Sequence, residues 1–334
     1  MSTLTPSPHT LSTQRPMIAV SYGLGAGALW GLVFIFPVLF PDFSGTLQSV
    51  ARYLCYGVVS VVMLAPKLRS VLQRTTGRDW LWLIGLSLCG NIVYYQFLSL
   101  GVRGAGVAVT SMLIGLLPIT TALMGRWIQQ RRTSPNTPSS DTTHAPTTLP
   151  LRRLIVPLLL ILCGLILIHL HGWQQLLQGN LPIEQVLGML AAIAALGCWT
   201  LYSVGNAYYV QRYHHHSQSE WTSLTGLATG GLAAIVGIAQ WLIHPEEMNH
   251  SADRWAYFAL WAMVIGLGAS WIGSWLWNMA SQRLPMTLSG QLIVSETLFA
   301  LIYGFILAGQ LPTALELAAM VCFFVGVMQA IRAH

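Results

Sequence analysis

From residue 80 to residue 125 the chain reads WLWLIGLSLCGNIVYYQFLSLGVRGAGVAVTSMLIGLLPITTALMG, and Arg103 is the lone charge in that whole stretch. A helix that crosses the hydrocarbon core of a bilayer needs roughly 20 consecutive apolar residues. The stretch holds two such lengths, divided where Gly101, Arg103 and Gly104 crowd together. Further runs free of Asp, Glu, Lys and Arg occupy 18–41, 154–183, 185–211, 221–245 and 255–282. Strands of a membrane barrel would alternate polar and apolar residues in segments of roughly 10. These runs are apolar all round, so they read as transmembrane helices.

Composition agrees. The 334 residues are 54% hydrophobic and 8% charged, with a mean hydropathy of +0.60. A soluble domain carries roughly a quarter of its residues as charges, and no soluble fold of this length could cover its surface with so few. The five cysteines (Cys55, Cys89, Cys163, Cys198, Cys322) all lie in apolar runs with no CxxC pair. That spacing argues against zinc and against a disulfide framework. Arg15 precedes an apolar run too long for a signal-peptide core, which reads as a retained first helix behind a polar tail at 1–16.

Turn residues divide the apolar runs into ten segments: α1 (17–38), α2 (46–65), α3 (80–100), α4 (105–127), α5 (152–170), α6 (184–208), α7 (221–243), α8 (255–280), α9 (286–308) and α10 (312–332). The Thr-, Ser- and Pro-rich stretch 129–150 reads as a flexible cytoplasmic linker. With both termini in the cytoplasm, Arg15, Lys67, Arg69, Arg74, Arg78, Arg126, Arg131, Arg132, Arg152, Arg153, Arg212, Arg283 and Arg332 all fall inside, as the positive-inside rule requires. Arg103 and Arg254 stay outside, and Arg52 lies within α2. The net charge of +6 is therefore explained by loop asymmetry rather than by nucleic acid.

The two halves show weak self-similarity. Ile84-Gly85-Leu86 in α3 matches Ile265-Gly266-Leu267 in α8 at an offset of 181, Pro118 falls opposite Thr297 at 179, and Trp30 opposite Trp199 at 169. Five helices per half is an odd number, so a second copy enters the membrane upside down. Inverted repeats with a site at their interface are a recurring transporter plan. The expected division is α1–α4 at 17–128, the linker, α5 within 151–170 completing the first repeat, and a second repeat at 171–334.

Several motifs then carry a resemblance: Gly-Ala-Leu-Trp-Gly at 27–31, Ala-Arg-Tyr-Leu at 51–54, Leu-Leu-Pro at 116–118, Ser-Glu-Thr-Leu-Phe-Ala at 295–300 and Ala-Gly-Gln-Leu-Pro at 308–312. On these the chain resembles the drug/metabolite transporter superfamily, in its ten-helix EamA-type branch, over roughly 18–331. Gln310 departs from the Glu common in the family, and the first half lacks that motif, which touches helix capping more than transport. The resemblance implies an all-α polytopic membrane protein, a secondary carrier in a bacterial inner membrane, often an exporter of amino acids or other small amphipathic metabolites, with its site between the halves.

Glu296 stands out without any resemblance. It lies at the middle of α9, where a charge costs roughly 2.5–3.5 kcal/mol on insertion scales and such residues usually face a bundle interior or a water-filled cavity. Its carboxyl is a candidate to exchange a proton or bind an amine; the alternative is a carboxylic acid hydrogen-bonded to a neighbouring helix. Ser289 and Tyr303 lie seven residues to either side on the same face. Arg52 either binds an anion or snorkels to the interface. Stripes at helical spacing supply walls and polar groups: Trp199, Tyr202 and Asn206 on α6; Trp271, Trp275 and Asn278 on α8; Asn91 and Tyr95 on α3; Trp30 and Phe34 on α1. Any one of these aromatics could equally be packing. Gly23, Gly27 and Gly31 recur every four residues, a spacing that permits close helix contact.

No P-loop, zinc-protease motif or nucleophile elbow is present in the sequence. The expected partners are therefore a small-molecule solute, the lipid bilayer and a proton, with no cofactor, metal or nucleic acid. A membrane-embedded lipid-modifying enzyme or a non-transporting scaffold or sensor is the competing function; an enzyme would cluster polar catalytic residues at one interface, and the short outer loops offer none.

Overall fold

The computed structural model describes residues 16–132, 182–212, 216–281 and 286–332, with scattered positions between 156 and 167. Most of the segment expected as α5, and the linker from 133 onward, lie outside the described residues. Every regular element among the described residues is helical. Among the described residues, six helices are long and apolar enough to cross a membrane: Val20–Leu39, Gly45–Arg74, Gly77–Ile114, Ile183–Asn206, Gln218–Ile243 and Ala252–Trp277, with Ser295–Ala308 and Ala314–Gly326 as shorter apolar helices.

Burial on α2 departs from that of a soluble protein. On α2, Gln48, Ser49, Arg52 and Ser60 are buried, whereas Val58, Val61 and Val62 are exposed. Hydrocarbon outside explains both halves of that pattern: apolar side chains lose nothing by facing lipid, and polar ones need partners within the bundle.

α1 runs Pro16–Gly31 and passes through a short 3-10 turn into Phe36–Leu39. Ser44 caps α2 (Gly45–Leu64) by accepting from the Leu47 N–H at 3.2 Å. Thr76 and Asp79 form a capping box that opens α3 at Gly77. α3 continues through a π-helical turn, Leu88–Val93, into Tyr94–Ile114. Inside that last helix Gly106 takes φ 85, ψ 165, a backbone state that only glycine adopts readily. The chain is turned there, so α4 begins at Gly106 and resumes as Leu117–Arg132. The first residues expected as linker, 129–132, are thus helical; Gln and Arg are good helix formers and extend the turn.

In the second half, α6 spans Ile183–Arg212 and α7 Gln218–Ile243, the latter opened by a Ser217/Glu220 capping box. α8 is Ala252–Ile265, a second π-helical turn at Gly266–Ile272, and Gly273–Ser281. α9 is Met286–Ala308 and α10 is Ala314–Arg332. Between them Gly309, at φ 64, closes α9, and Thr313 with Glu316 caps α10 through bonds at 2.7 and 3.2 Å. The helix ends here are satisfied with Gln310 in place.

The halves are tied by close helix crossings at glycines. A Cβ on Gly57 of α2 would lie 2.9 Å from Gly230 Cα of α7, and one on Gly104, at the end of α3, 2.8 Å from Gly188 Cα of α6. Small residues let backbones meet where no hydrophobic drive operates between helices.

Candidate functional site

α9 is fixed in rotation by its neighbours, and that rotation aims Glu296. Gly27 and Gly31 of α1 admit it: a Cβ on Gly27 would overlap Ser295 Oγ and come within 2.9 Å of the Glu296 backbone nitrogen. Tyr303 donates to the Ala28 carbonyl of α1 at 3.2 Å, and Thr297 to the Ser111 carbonyl of α4 at 3.1 Å. Glu296 is buried and lines a small cavity in the bundle. Its carboxyl makes no hydrogen bond to any described residue.

Arg52 reaches the same cavity from α2. Its Nε donates to Ser270 Oγ at 3.0 Å, and its guanidinium carbon lies 4.9 Å from the Tyr53 ring centroid and 5.4 Å from that of Tyr95. The snorkelling expected as one alternative does not occur, because these inward groups offer a bond and two ring faces while Leu54 and Val58 beside it face lipid. Nη1 is buried without a hydrogen-bond partner. No ion pair within 4 Å joins Arg52 to Glu296.

The walls come from five more helices. On α1, Trp30 Nε1 donates to the Ala269 carbonyl, inside the π turn of α8, at 2.9 Å. Tyr94 of α3 stacks on Trp199 of α6 at 4.8 Å, and Trp199 on Tyr202 at 5.2 Å. Asn91, on the π turn of α3, donates to Thr229 Oγ1 of α7 at 3.1 Å, and Thr225 of α7 joins the lining. Ser270 and Ser274 complete the wall from α8. The space between these groups measures about 40 Å³, far below the roughly 300–1,000 Å³ of small-molecule pockets, so a metabolite does not fit unless the helices part.

Of the residues singled out from sequence, Glu296, Arg52, Trp30, Asn91, Trp199 and Tyr202 meet at the cavity. Others do not. Tyr95 lies behind Arg52 and donates to Gln48 Oε1 at 3.2 Å. Asn206 accepts from Trp221 Nε1 at 2.8 Å. Trp271 packs against the core, and Trp275 is 42% exposed and faces away from the cavity. The side chains of Asn278 and Ser289 lie outside the described residues. Sequence reasoning missed Ser270 and Ser274, each one residue before the tryptophan it chose. A π turn inserts one residue into a helix and so rotates the lining face away from a stripe counted at α spacing. Tyr56, Tyr94 and Thr225 carried no sequence signal that separates them from packing residues.

Both ends of the bundle are packed. Where 40–44 meets 244–251, Phe43 stacks on Phe258 at 4.0 Å with Phe36 and Phe40 around them. Arg254 clasps Asp42 in a two-pronged pair, its Nε at 2.8 Å. That hydrogen bond holds the Asp42 carboxyl below the usual carboxylate range, with slight burial opposing it. Arg103 donates to the carbonyls of Phe40, Pro41 and Phe43. At the other end Tyr209 donates to Asp79 and stacks on Trp221 at 4.3 Å. Among the described residues, no group of three His, Cys, Asp or Glu side chains is placed to hold a metal.

Comparison with known proteins follows the same lines. A family model described as the EamA-like transporter family matches residues 17–138 and 186–332. The inner membrane protein YtfF of Escherichia coli (strain K12) is 28% identical over 319 residues, covering 94% of this chain and 95% of that protein. A solved protein crystal structure superposes with a TM-score of 0.60 at 20% identity, over 93% of this chain and 96% of that one, which speaks to fold alone.

Proposed function

The chain belongs to the EamA-like transporter family, and on that footing we propose that it is a secondary carrier that moves a small amphipathic metabolite by alternating access, as an exporter in a bacterial inner membrane. Ten helices in two inverted five-helix repeats, with both termini cytoplasmic, make the frame. The two stretches matched by the family model and the inner-membrane relative support this reading.

The observation that carries it is the cavity itself. Arg52 from one half and Glu296 from the other line a single space walled by Trp30, Tyr94, Trp199 and Tyr202. A few placed polar groups among aromatic walls is what a small-molecule site requires. The charged residues are otherwise costly at membrane depth. Transport opens the Asp42–Arg254 end or the Asp79–Tyr209 end in turn, widening a cavity that is too tight when both are packed. Glu296 exchanges the coupling proton, since its carboxyl faces the cavity with no described partner to hold one protonation state.

Counterflow and gradient-driven flux in proteoliposomes test this. Glu296→Gln is expected to abolish accumulation driven by a pH gradient while solute exchange at equal pH persists. Gradient-driven accumulation at the wild-type level in Glu296→Gln would overturn the proton role.

A further inference from the structure

We infer that Arg52 is the anchor for a carboxylate, and that the carried solute bears a single carboxylate group which docks on the guanidinium inside the cavity; this rests on the transporter reading above. Arg52 is 94% buried by the measure of its 6% exposure, yet Nη1 has no hydrogen-bond partner. Buried polar atoms in native structures are nearly always satisfied, and one that is not calls for a water, an ion or a ligand.

The guanidinium is also held still. Ser270 Oγ takes Nε at 3.0 Å, and the rings of Tyr53 and Tyr95 flank the plane at 4.9 and 5.4 Å. These contacts use the Nε edge and the faces of the group and leave the Nη1 donors over. A charged donor fixed in this way suits a carboxylate oxygen.

Charge points the same way. A guanidinium in a membrane interior is stabilised by a partner, and Glu296, the one acid among the described residues of the cavity, lies beyond ion-pair distance of it. The missing negative charge is left for the solute to bring. A phosphate dianion fits less well, because one guanidinium with one serine would face two negative charges, and Glu296 shares the cavity. The carbon body of the solute then lies along the Tyr94–Trp199–Tyr202 stack.

The test uses full-length protein in proteoliposomes, with counterflow of labelled proteinogenic amino acids, short monocarboxylic acids, and neutral or cationic metabolites without a carboxylate. Each carried carboxylate is then challenged with its unlabelled acid and with its primary amide. The acid is expected to compete about tenfold or more better than the amide, given that bonds to charged groups are the strong ones. Arg52→Gln is expected to lower flux at least about tenfold and to erase the preference for acid over amide, with Arg52→Lys restoring part of it. Equal competition by acid and amide in the wild type would overturn the inference while leaving transport intact, and this comparison stands even where Arg52→Gln fails to fold. An undiminished acid preference in a folded Arg52→Gln would overturn it as well. Absence of counterflow for every carboxylate, with counterflow of a neutral or cationic metabolite, would overturn the inference alone; absence for all of them would overturn the transporter reading with it.

Discussion

α3 and α8 carry the same device to different ends. Each is interrupted by a π-helical turn, Leu88–Val93 in α3 and Gly266–Ile272 in α8, close to the shared Ile-Gly-Leu at 84–86 and 265–267. Such turns are rare and recur at functional sites. In α3 the turn presents Asn91, which touches the cavity but spends its amide on Thr229 of α7, itself in contact with Ser87; that bond ties helices together. In α8 the turn presents the Ala269 carbonyl to Trp30 and Ser270 to Arg52; its polar atoms hold the side chains that line the cavity. The charges divide in a related way. Arg52 belongs to the first half and Glu296 to the second, and the first-half position opposite Glu296 at the offset of 179 is Leu117, a buried apolar residue. The two π turns are alike in backbone and differ in what their polar atoms hold.

Shortening the two turns should give the largest difference. Deleting Leu267 restores α-helical register in α8 and swings Ser270 and Ser274 off the cavity, so flux should fall about 10²-fold, the scale of a misplaced site. Deleting Cys89 in α3 should cost thermal stability first and flux less. Counterflow on variants that elute as folded protein measures both, and equal losses would erase the distinction between the turns.

Single bonds give the next effect. Ser270→Ala removes a bond to a charged group, and the apparent KM for the carried solute should rise about tenfold. Thr229→Val removes the neutral partner of Asn91 at a fully buried position, and should show mainly as about 1 kcal/mol of lost stability. A KM change of similar size in both would mean that the Asn91 bond sets the solute site as much as the Ser270–Arg52 bond does.

These contrasts also mark how far the sequence could be read. Glu296 was legible because a charge inside an apolar helix has no cheap explanation, and Gly27 and Gly31 because their spacing draws one stripe on a helix. Membership of the family was legible from motifs at 27–31, 51–54 and 295–300. The α8 wall was not, because the stripe Trp271, Trp275, Asn278 assumes 3.6 residues per turn and the inserted residue breaks that count. Tyr94 and Tyr95 are adjacent and alike; which one faces the cavity is decided by the rotation of α3, fixed in turn by the approach of Gly104 to Gly188. The direction of the Arg52 side chain depended on Ser270, a partner 218 residues away.

The smallest effect is expected at the Asp42–Arg254 clasp. The Asp42 carboxyl is held below its ordinary value of 3.8, so the clasp contributes above that value and is lost only as pH falls through the lowered one. Across about pH 5 to 8 it stays ionised, and Asp42→Asn should leave the shape of the transport pH profile unchanged while altering the rate at every pH alike. A profile reshaped by Asp42→Asn and not by Glu296→Gln would move the pH-sensitive step from the cavity to the clasp.

Alternating access requires that the cavity between the halves be reached from each side of the membrane in turn. Ser274, on its α8 wall, offers the most direct test: Ser274→Cys in a chain whose five native cysteines are replaced, labelled in proteoliposomes by a membrane-impermeant thiol reagent added outside or trapped inside. Alternating access predicts labelling from both sides and protection from both by the carried solute. Labelling from one side alone, or labelling that the carried solute leaves unchanged, would contradict it.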